Sequence, residues 1–226
     1  MLHKHFVIIL AGGEGKRMQS DTLKQFLVLG KKPVIMHSLI AFHEFDKKSI
    51  FSVVLPKNKI NFWKSICKKH NFNIPHNIFL GGKTRYNSVK NALFKLEIDK
   101  DDIVSIHDGV RPFISKNLIK KTYNSALKKG HAAPFIEPND SLRIFTENSL
   151  KTKSVNRSSF LFTQTPQIFK GFIIKKAYQK ENNNKTDDIS LIEDSVSSVN
   201  LIKGEQINMK ITTKEDWLLA NKIIKS

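Results

Sequence analysis

The sequence predicts an α/β fold: a mostly parallel central sheet with helices on both faces and a protruding β-arm. Three observations carry it. Apolar, strand-like runs alternate with amphipathic helical stretches from the first residues to about residue 136. Three loops rich in glycine and charge, AGGEGKRM, GGKTR and HDGVRP, each follow the end of a predicted strand. The alternation then breaks over 139–157, where two short alternating segments flank a polar turn. At 226 residues the chain fits one domain, 1–226, with the arm inside it.

The elements follow in order. Residues 5–10 form a continuous apolar run that leads into glycine, the pattern of a buried strand. Pro33 to Phe45 reads as a helix opened by proline, with Ile35, Leu39 and Phe42 on one face. Ile50 to Leu55 is a strand stopped by Pro56, and Asn58 to Asn71 a helix. A short strand at Ile78–Leu80 meets Gly81-Gly82, and Thr84 to Leu96 is an amphipathic helix. Asp102 to Ile106 is a strand, Ser115 caps a helix ending at Gly130, and His131 to Ile136 is a strand. In the arm, SLRIF and LKTKSV pair around TENS. Beyond it lie a helix near Phe172 to Lys180, a polar loop at Asn182–Asn184 and a helix opened by TDDIS. Short strands at Val199–Ile202 and Asn208–Ile211 precede a last helix, which Thr213 caps with Asp216 three residues on.

Composition excludes several classes. Hydrophobic content is 40%, and the apolar run Phe6–Ala11 is far too short to span a bilayer. No secretory segment is visible, so the expected location is cytoplasmic, without membrane association. The single Cys67 cannot form an internal disulfide and is expected to be an inert helix thiol. The net charge of +18 raises nucleic-acid binding, but only five of the 38 basic residues are arginine. Scattered lysines among many Asn and Ile residues read as AT-rich codon drift, so no nucleic-acid partner is expected. Four of the five arginines, Arg17, Arg85, Arg111 and Arg157, fall in the motifs below.

The loops carry the chemistry. AGGEGKRM lacks the closing GK[ST] of a Walker loop and the third glycine of a dinucleotide fingerprint. Its glycines still expose backbone amides, and Lys16, Arg17 and Lys24 bring cations to them, the makings of an anion nest. In GGKTRYNSV, Gly82 permits close approach to a flat base and Ser88 offers a hydroxyl, although a plain strand-to-helix turn fits the same residues. In HDGVRP, Asp108 suits Mg²⁺ beside a triphosphate and Arg111 a second phosphate, against the simpler reading of an aspartate capping a turn. Ligands of open α/β sheets bind outside the carboxyl ends of the strands, so the three loops are expected to converge. None of the eight histidines shows the H-E-x-x-H spacing of a zinc site. His107 alone is placed to matter, by hydrogen bonding.

AGGEGKRM, LKQFL, GGKTRYNSV, HDGVRPF, TQTPQ, TDD and NMKIT stand in the order and spacing of one family, across residues 5–225. The chain resembles the 2-C-methyl-D-erythritol 4-phosphate cytidylyltransferases. The resemblance implies a Rossmann-like nucleotidyltransferase fold, a homodimer locked by the arm and a reaction of CTP with methylerythritol phosphate, assisted by Mg²⁺ or another divalent cation. It implies that Arg17 and Lys24 stabilise the transition state, while Arg157 and Lys210 position the substrate phosphate. Ala11, Gly12, Gly13, Gly15, Lys24, Gly82, Arg85 and Ser88 would hold CTP. Asp108, Arg111, Ser141, Thr165 and Thr186 would hold the sugar phosphate or, for Asp108, the metal.

Several positions depart from the family pattern. Leu23 stands for a common proline, Lys83 for an acidic residue, Asn156 for aspartate, Ser141 for threonine, Gly109-Val110 for Ala-Ala and Lys214 for proline. None removes a charged group assigned to the chemistry. The implied nucleophile is a phosphate oxygen, already anionic, so no general base is required and catalysis rests on positioning and charge neutralisation. Rival readings are a related CDP-alditol synthase such as ribitol 5-phosphate cytidylyltransferase, an inactive scaffold and a basic nucleic-acid-binding protein.

Overall fold

In the computed structural model, which describes residues 3–13, 23–146, 151–180 and 185–225, the chain begins with β1 (His5–Leu10), buried along its whole length. A two-stranded ribbon, β2 (Val28–Leu29) and β3 (Lys32–Pro33), leads into α1 (Val34–Phe45). β4 (Ile50–Leu55), α2 (Ile60–Lys69), β5 (His76–Leu80), α3 (Arg85–Leu93), β6 (Ile103–Asp108), α4 (Lys116–Lys129) and β7 (His131–Ile136) follow in strict alternation. Then come the hairpin β8 (Leu142–Phe145) and β9 (Thr152–Val155), the short β10 (Phe162–Thr163), β11 (Gln167–Lys170), α5 (Gly171–Gln179), β12 (Leu201–Lys203) and α6 (Lys214–Ile223).

The central sheet runs β10-β7-β11-β6-β1-β4-β5, with β12 also on β7. β6, β1, β4 and β5 are mutually parallel, and β12 is parallel to β7. β11 enters antiparallel between β6 and β7. Alternation along β1 builds two cores. Phe6, Ile8 and Leu10 pack with Val89 and Leu93 of α3 and Ile174 and Tyr178 of α5. Val7 and Ile9 pack on the other face with Leu39 and Phe42 of α1, Trp63 of α2 and Leu118 of α4. A strand covered on both faces must be apolar at every position, which explains the unbroken run at the start of the chain.

The predicted caps are in place. Thr84 and Ser115 accept from the third backbone N–H of their helices, Gly130 takes the left-handed conformation after α4, and Thr213 and Asp216 form a full capping box. Three expectations need correction. α3 stops at Leu93, three residues before Leu96; Leu96 still reaches the core, so apolar spacing outlasts the helix. TDDIS opens no α-helix but two 3₁₀ turns, Ile189–Leu191 and Glu193–Ser195, because the side chains of Asp187 and Asp188 are drawn into bonds with Thr163, Gln167 and Arg85. Asn208–Ile211 is not a strand; it is held by side chains and by the backbone bonds Asn208 N–H to the Glu205 carbonyl at 3.0 Å and Ile211 N–H to the Val110 carbonyl at 2.9 Å. The tip of the TENS turn and the Asn182–Asn184 loop lie outside the described residues.

Burial pushes the Cys67 thiol up to about 11, in keeping with an inert side chain. Among the described residues no helix is long and apolar enough to cross a membrane.

Candidate active site

The carboxyl ends of β1, β5 and β6 open onto a cleft of ≈ 530 Å³ that the three loops share. Backbone bonds draw them together: Ala11 N–H to Val54 O at 2.9 Å, Gly81 N–H to Leu55 O at 2.8 Å and Gly109 N–H to Leu10 O at 2.8 Å. The first two loops nearly touch. A Cβ on Gly12 would lie 3.4 Å from Ser88 Oγ, and one on Gly82 would overlap Asn87 Cβ at 2.4 Å. Ser88 Oγ accepts from the Gly82 N–H at 3.0 Å and donates to the Thr84 carbonyl at 2.9 Å, so it shapes the loop as well as facing the cleft. Gln25 Nε2 donates to the carbonyls of Ala11 (2.7 Å) and Gly13 (3.0 Å), tying the first loop to the segment that carries Lys24.

Asp108 is the electrostatic centre. Its carboxylate meets Lys210 Nζ at 2.9 Å, Arg85 Nε at 3.5 Å and Arg111 Nε at 3.6 Å. Burial alone would raise its pKa, but Arg85, Lys210 and Arg111 outweigh it and hold the group far below the usual carboxylate range. Lys24, Lys83, Arg85 and Lys210 line the same cleft, and Asp108 is the one acid among its described lining residues. Such a wall suits a polyanion.

Other predicted residues stand behind or away from this wall. Arg111 lies behind Asp108, its side chain largely buried and its Nη1 donating to the Asn208 carbonyl at 2.7 Å rather than forking outward. Thr165 is buried; its hydroxyl accepts from the Asp108 N–H at 3.1 Å and meets His107 Nδ1 at 3.1 Å. Burial pushes His107 down to about 4, so it is a neutral hydrogen-bonding group near pH 7. Ser141 is exposed just before β8, and Thr186 is exposed beside the buried Asp188. Arg157 is exposed at the base of the hairpin, where Nη1 donates to the Asn139 carbonyl. Gly15 and Arg17 lie outside the described residues.

No group of three or more His, Cys, Asp or Glu side chains able to hold a metal exists among the described residues. A magnesium ion needs fewer protein ligands, because one carboxylate, waters and substrate phosphates complete its octahedron. Asp108 on a cleft fit for phosphates meets that requirement.

Sequence reasoning missed three groups. Asp188, with Tyr178, grips Arg85 from behind the cleft. Asn208 Nδ2 donates to the Thr165 carbonyl at 2.9 Å and anchors the segment bearing Lys210. Gln25 pins the glycine loop. Asp188 and Asn208 sit inside the quoted motifs TDD and NMKIT, but their partners lie far away in the chain, and spacing alone gives no sign of them.

The family model for 2-C-methyl-D-erythritol 4-phosphate cytidylyltransferase matches residues 5–226. A protein of that name from Bacteroides fragilis is 40% identical over 218 residues, covering 96% of this chain and 98% of its own. One from Azobacteroides pseudotrichonymphae is 40% identical over 225 residues, covering 99% and 100%. The crystal structure of 4-diphosphocytidyl-2C-methyl-D-erythritol synthase from Anaerococcus prevotii superposes with a TM-score of 0.83 at 28% identity, covering 99% of this chain and 97% of that one.

Proposed function

The chain belongs to the 2-C-methyl-D-erythritol 4-phosphate cytidylyltransferase family, and on that premise we propose how its cleft works: it joins CTP and 2-C-methyl-D-erythritol 4-phosphate into 4-diphosphocytidyl-2-C-methyl-D-erythritol and pyrophosphate. The chain is a nucleotidyltransferase of isoprenoid synthesis. The observation that supports this use of the cleft is the ionised Asp108 among Lys210, Arg85 and Arg111, on a wall where the glycine loops leave room for a nucleotide.

The obstacle to this reaction is repulsion between two phosphate anions. The methylerythritol phosphate oxygen attacks the α-phosphorus of CTP in line, and pyrophosphate leaves on the opposite side. No proton has to be removed, which agrees with a cleft whose described lining presents cations and, as its one acid, the ion-paired Asp108. Ala11, Gly12, Gly13, Gly15, Gly82 and Ser88 receive CTP. Lys24 and Arg17 stabilise the charge that grows on the nucleotide phosphates, and Lys210 brings the attacking phosphate in beside Asp108. Asp108 would hold Mg²⁺, which when bound would supply positive charge that neutralises the phosphates.

The arm is assigned to a homodimer, with Arg157 and Ser141, which it carries, assigned to the substrate phosphate. Support comes from Ile144 and Phe145 of β8, 45% and 76% exposed, an apolar surface without cover in the single chain. Thr186 is assigned to the sugar-phosphate side, and the enzyme to the cytoplasm. The CDP-alditol alternative is not favoured, since the relatives carry the methylerythritol name. Pyrophosphate release measured with CTP, ATP, GTP or UTP, with and without methylerythritol phosphate, tests the reading. Release is expected only with CTP and methylerythritol phosphate together; equal release with ribitol 5-phosphate would transfer the chain to the sister activity.

A further inference from the structure

Asp188 is fully buried, yet a single side chain separates it from the cleft. Its carboxylate accepts a two-pronged bond from Arg85, Nη1 to Oδ1 at 2.9 Å and Nη2 to Oδ2 at 2.6 Å. The Tyr178 hydroxyl donates to the same Oδ1. The backbone N–H of Asp188 donates to Gln167 Oε1 at 2.8 Å, so β11 fixes the residue from the sheet side. Arg85 then turns its remaining nitrogen, Nε, toward Asp108 Oδ1 at 3.5 Å, while Asp108 Oδ2 takes Lys210 at 2.9 Å.

A guanidinium whose fork is already occupied cannot grip a phosphate with it. Arg85 lines the cleft, but its strongest binding geometry is spent on a buried carboxylate. We propose that Asp188, with Tyr178 behind it, is a positioning residue of the cleft. It keeps the Arg85 fork off the nucleotide phosphates and holds Arg85 side-on to Asp108, which leaves the other Asp108 oxygen to Lys210. This inference rests on the cytidylyltransferase reading above.

The charges give it a kinetic signature. Without the Asp188 carboxylate, Arg85 swings either onto both oxygens of Asp108, displacing Lys210, or onto the phosphates of CTP. In both cases the cleft gains one uncompensated cation. CTP is then held more tightly in the ground state, while the arrangement that presents Lys210 to the attacking phosphate is lost. Asp188→Asn should therefore lower kcat about ten-fold or more and lower the KM for CTP with it. A residue that merely braced the fold would reduce the active fraction and leave KM unchanged.

Because Asp188→Asn removes the partner of the Arg85 fork and leaves the guanidinium only its looser contact with Asp108, it is paired with Arg85→Met/Asp188→Leu, which removes both charges and fills their volume. That double variant should fold, recover the wild-type KM for CTP and keep a depressed kcat, since Asp108 has lost Arg85. Steady-state pyrophosphate release and thermal melting on both variants decide the matter. A folded double variant with wild-type kcat, or an Asp188→Asn enzyme with lowered kcat and unchanged KM, overturns the proposal. If Asp188→Asn does not fold, the double variant alone carries the test. Absence of CTP-dependent release by the wild type would mean that the cytidylyltransferase reading itself fails, and the positioning role with it.

Discussion

Asp108 keeps its charge through its neighbours and not through water. Each of its two oxygens faces cations, and the closest, Lys210 Nζ, is also the most exposed of the three. That exposure makes Lys210 the group able to leave Asp108 for an arriving phosphate, whereas Arg85 and Arg111 are held by Asp188 and the Asn208 carbonyl. Lys210→Ala is expected to lose about 10²-fold in turnover, the scale of one lost preorganised donor, and to raise the KM for methylerythritol phosphate. If instead only the KM for CTP rose, the two subsites would have to be exchanged. Lys24→Ala and Arg17→Ala should lose about as much turnover, and near-normal rates in both would sink their assignment. The residues that the sequence made legible here are those that carry formal charge in glycine-rich loops. Thr165 was legible only as a motif member, because its place behind Asp108 depends on β11 lying beside β6.

At the scale of elements, legibility followed locality. Caps such as Thr84, Ser115 and Thr213 act on amides within three residues, and each was readable from its neighbours. β11 was not, because an antiparallel strand of four residues between two long parallel ones declares itself only through its partners. The 3₁₀ turns after Asp188 escaped for the same reason: tertiary bonds from Arg85 and Gln167 override the local preference. The arm lies between these cases, since alternation and a polar turn identify a hairpin but not what covers it. Phe145 projects from β8, so its replacement costs this chain almost no internal packing. Ile144→Asp/Phe145→Asp should leave the melting temperature of the isolated fold nearly unchanged, shift a dimer to monomer in sedimentation velocity and lower turnover by misplacing Arg157. A variant that stays dimeric at full activity would remove the arm from the interface.

Over the whole molecule, the sheet brings five of the seven scattered motifs to one wall, with TQTPQ and TDD outside its described lining, and the same burial that builds the wall makes the fold acid-sensitive. His107 lies at the end of a strand covered on both sides, between Thr165 and the ring of Phe42. Burial is the largest influence on it and outweighs the pull of Asp108, so its pKa falls from 6.5 to about 4. The unfolded chain therefore takes up a proton as pH drops through about 6.5, while the folded chain does not until about 4. Stability is full above pH 6.5 and declines toward pH 4, by about 3 kcal/mol for this group. His5 and His131, also lowered by burial, act in the same direction. Below pH 4 the depressed carboxylates Asp46 and Asp108 extend the loss, because the unfolded chain protonates them first. Melting temperatures should fall steadily from pH 7 to 4.5 at constant ionic strength. His107→Gln, which keeps a polar group but cannot titrate, should start less stable and show a shallower slope over that interval. An unchanged slope would mean that His107 takes up its proton at the same pH in the folded and unfolded chains and does not stay neutral down to pH 4. The neutral hydrogen-bonding role that leaves Asp108 as the charge at the end of β6 would then be wrong.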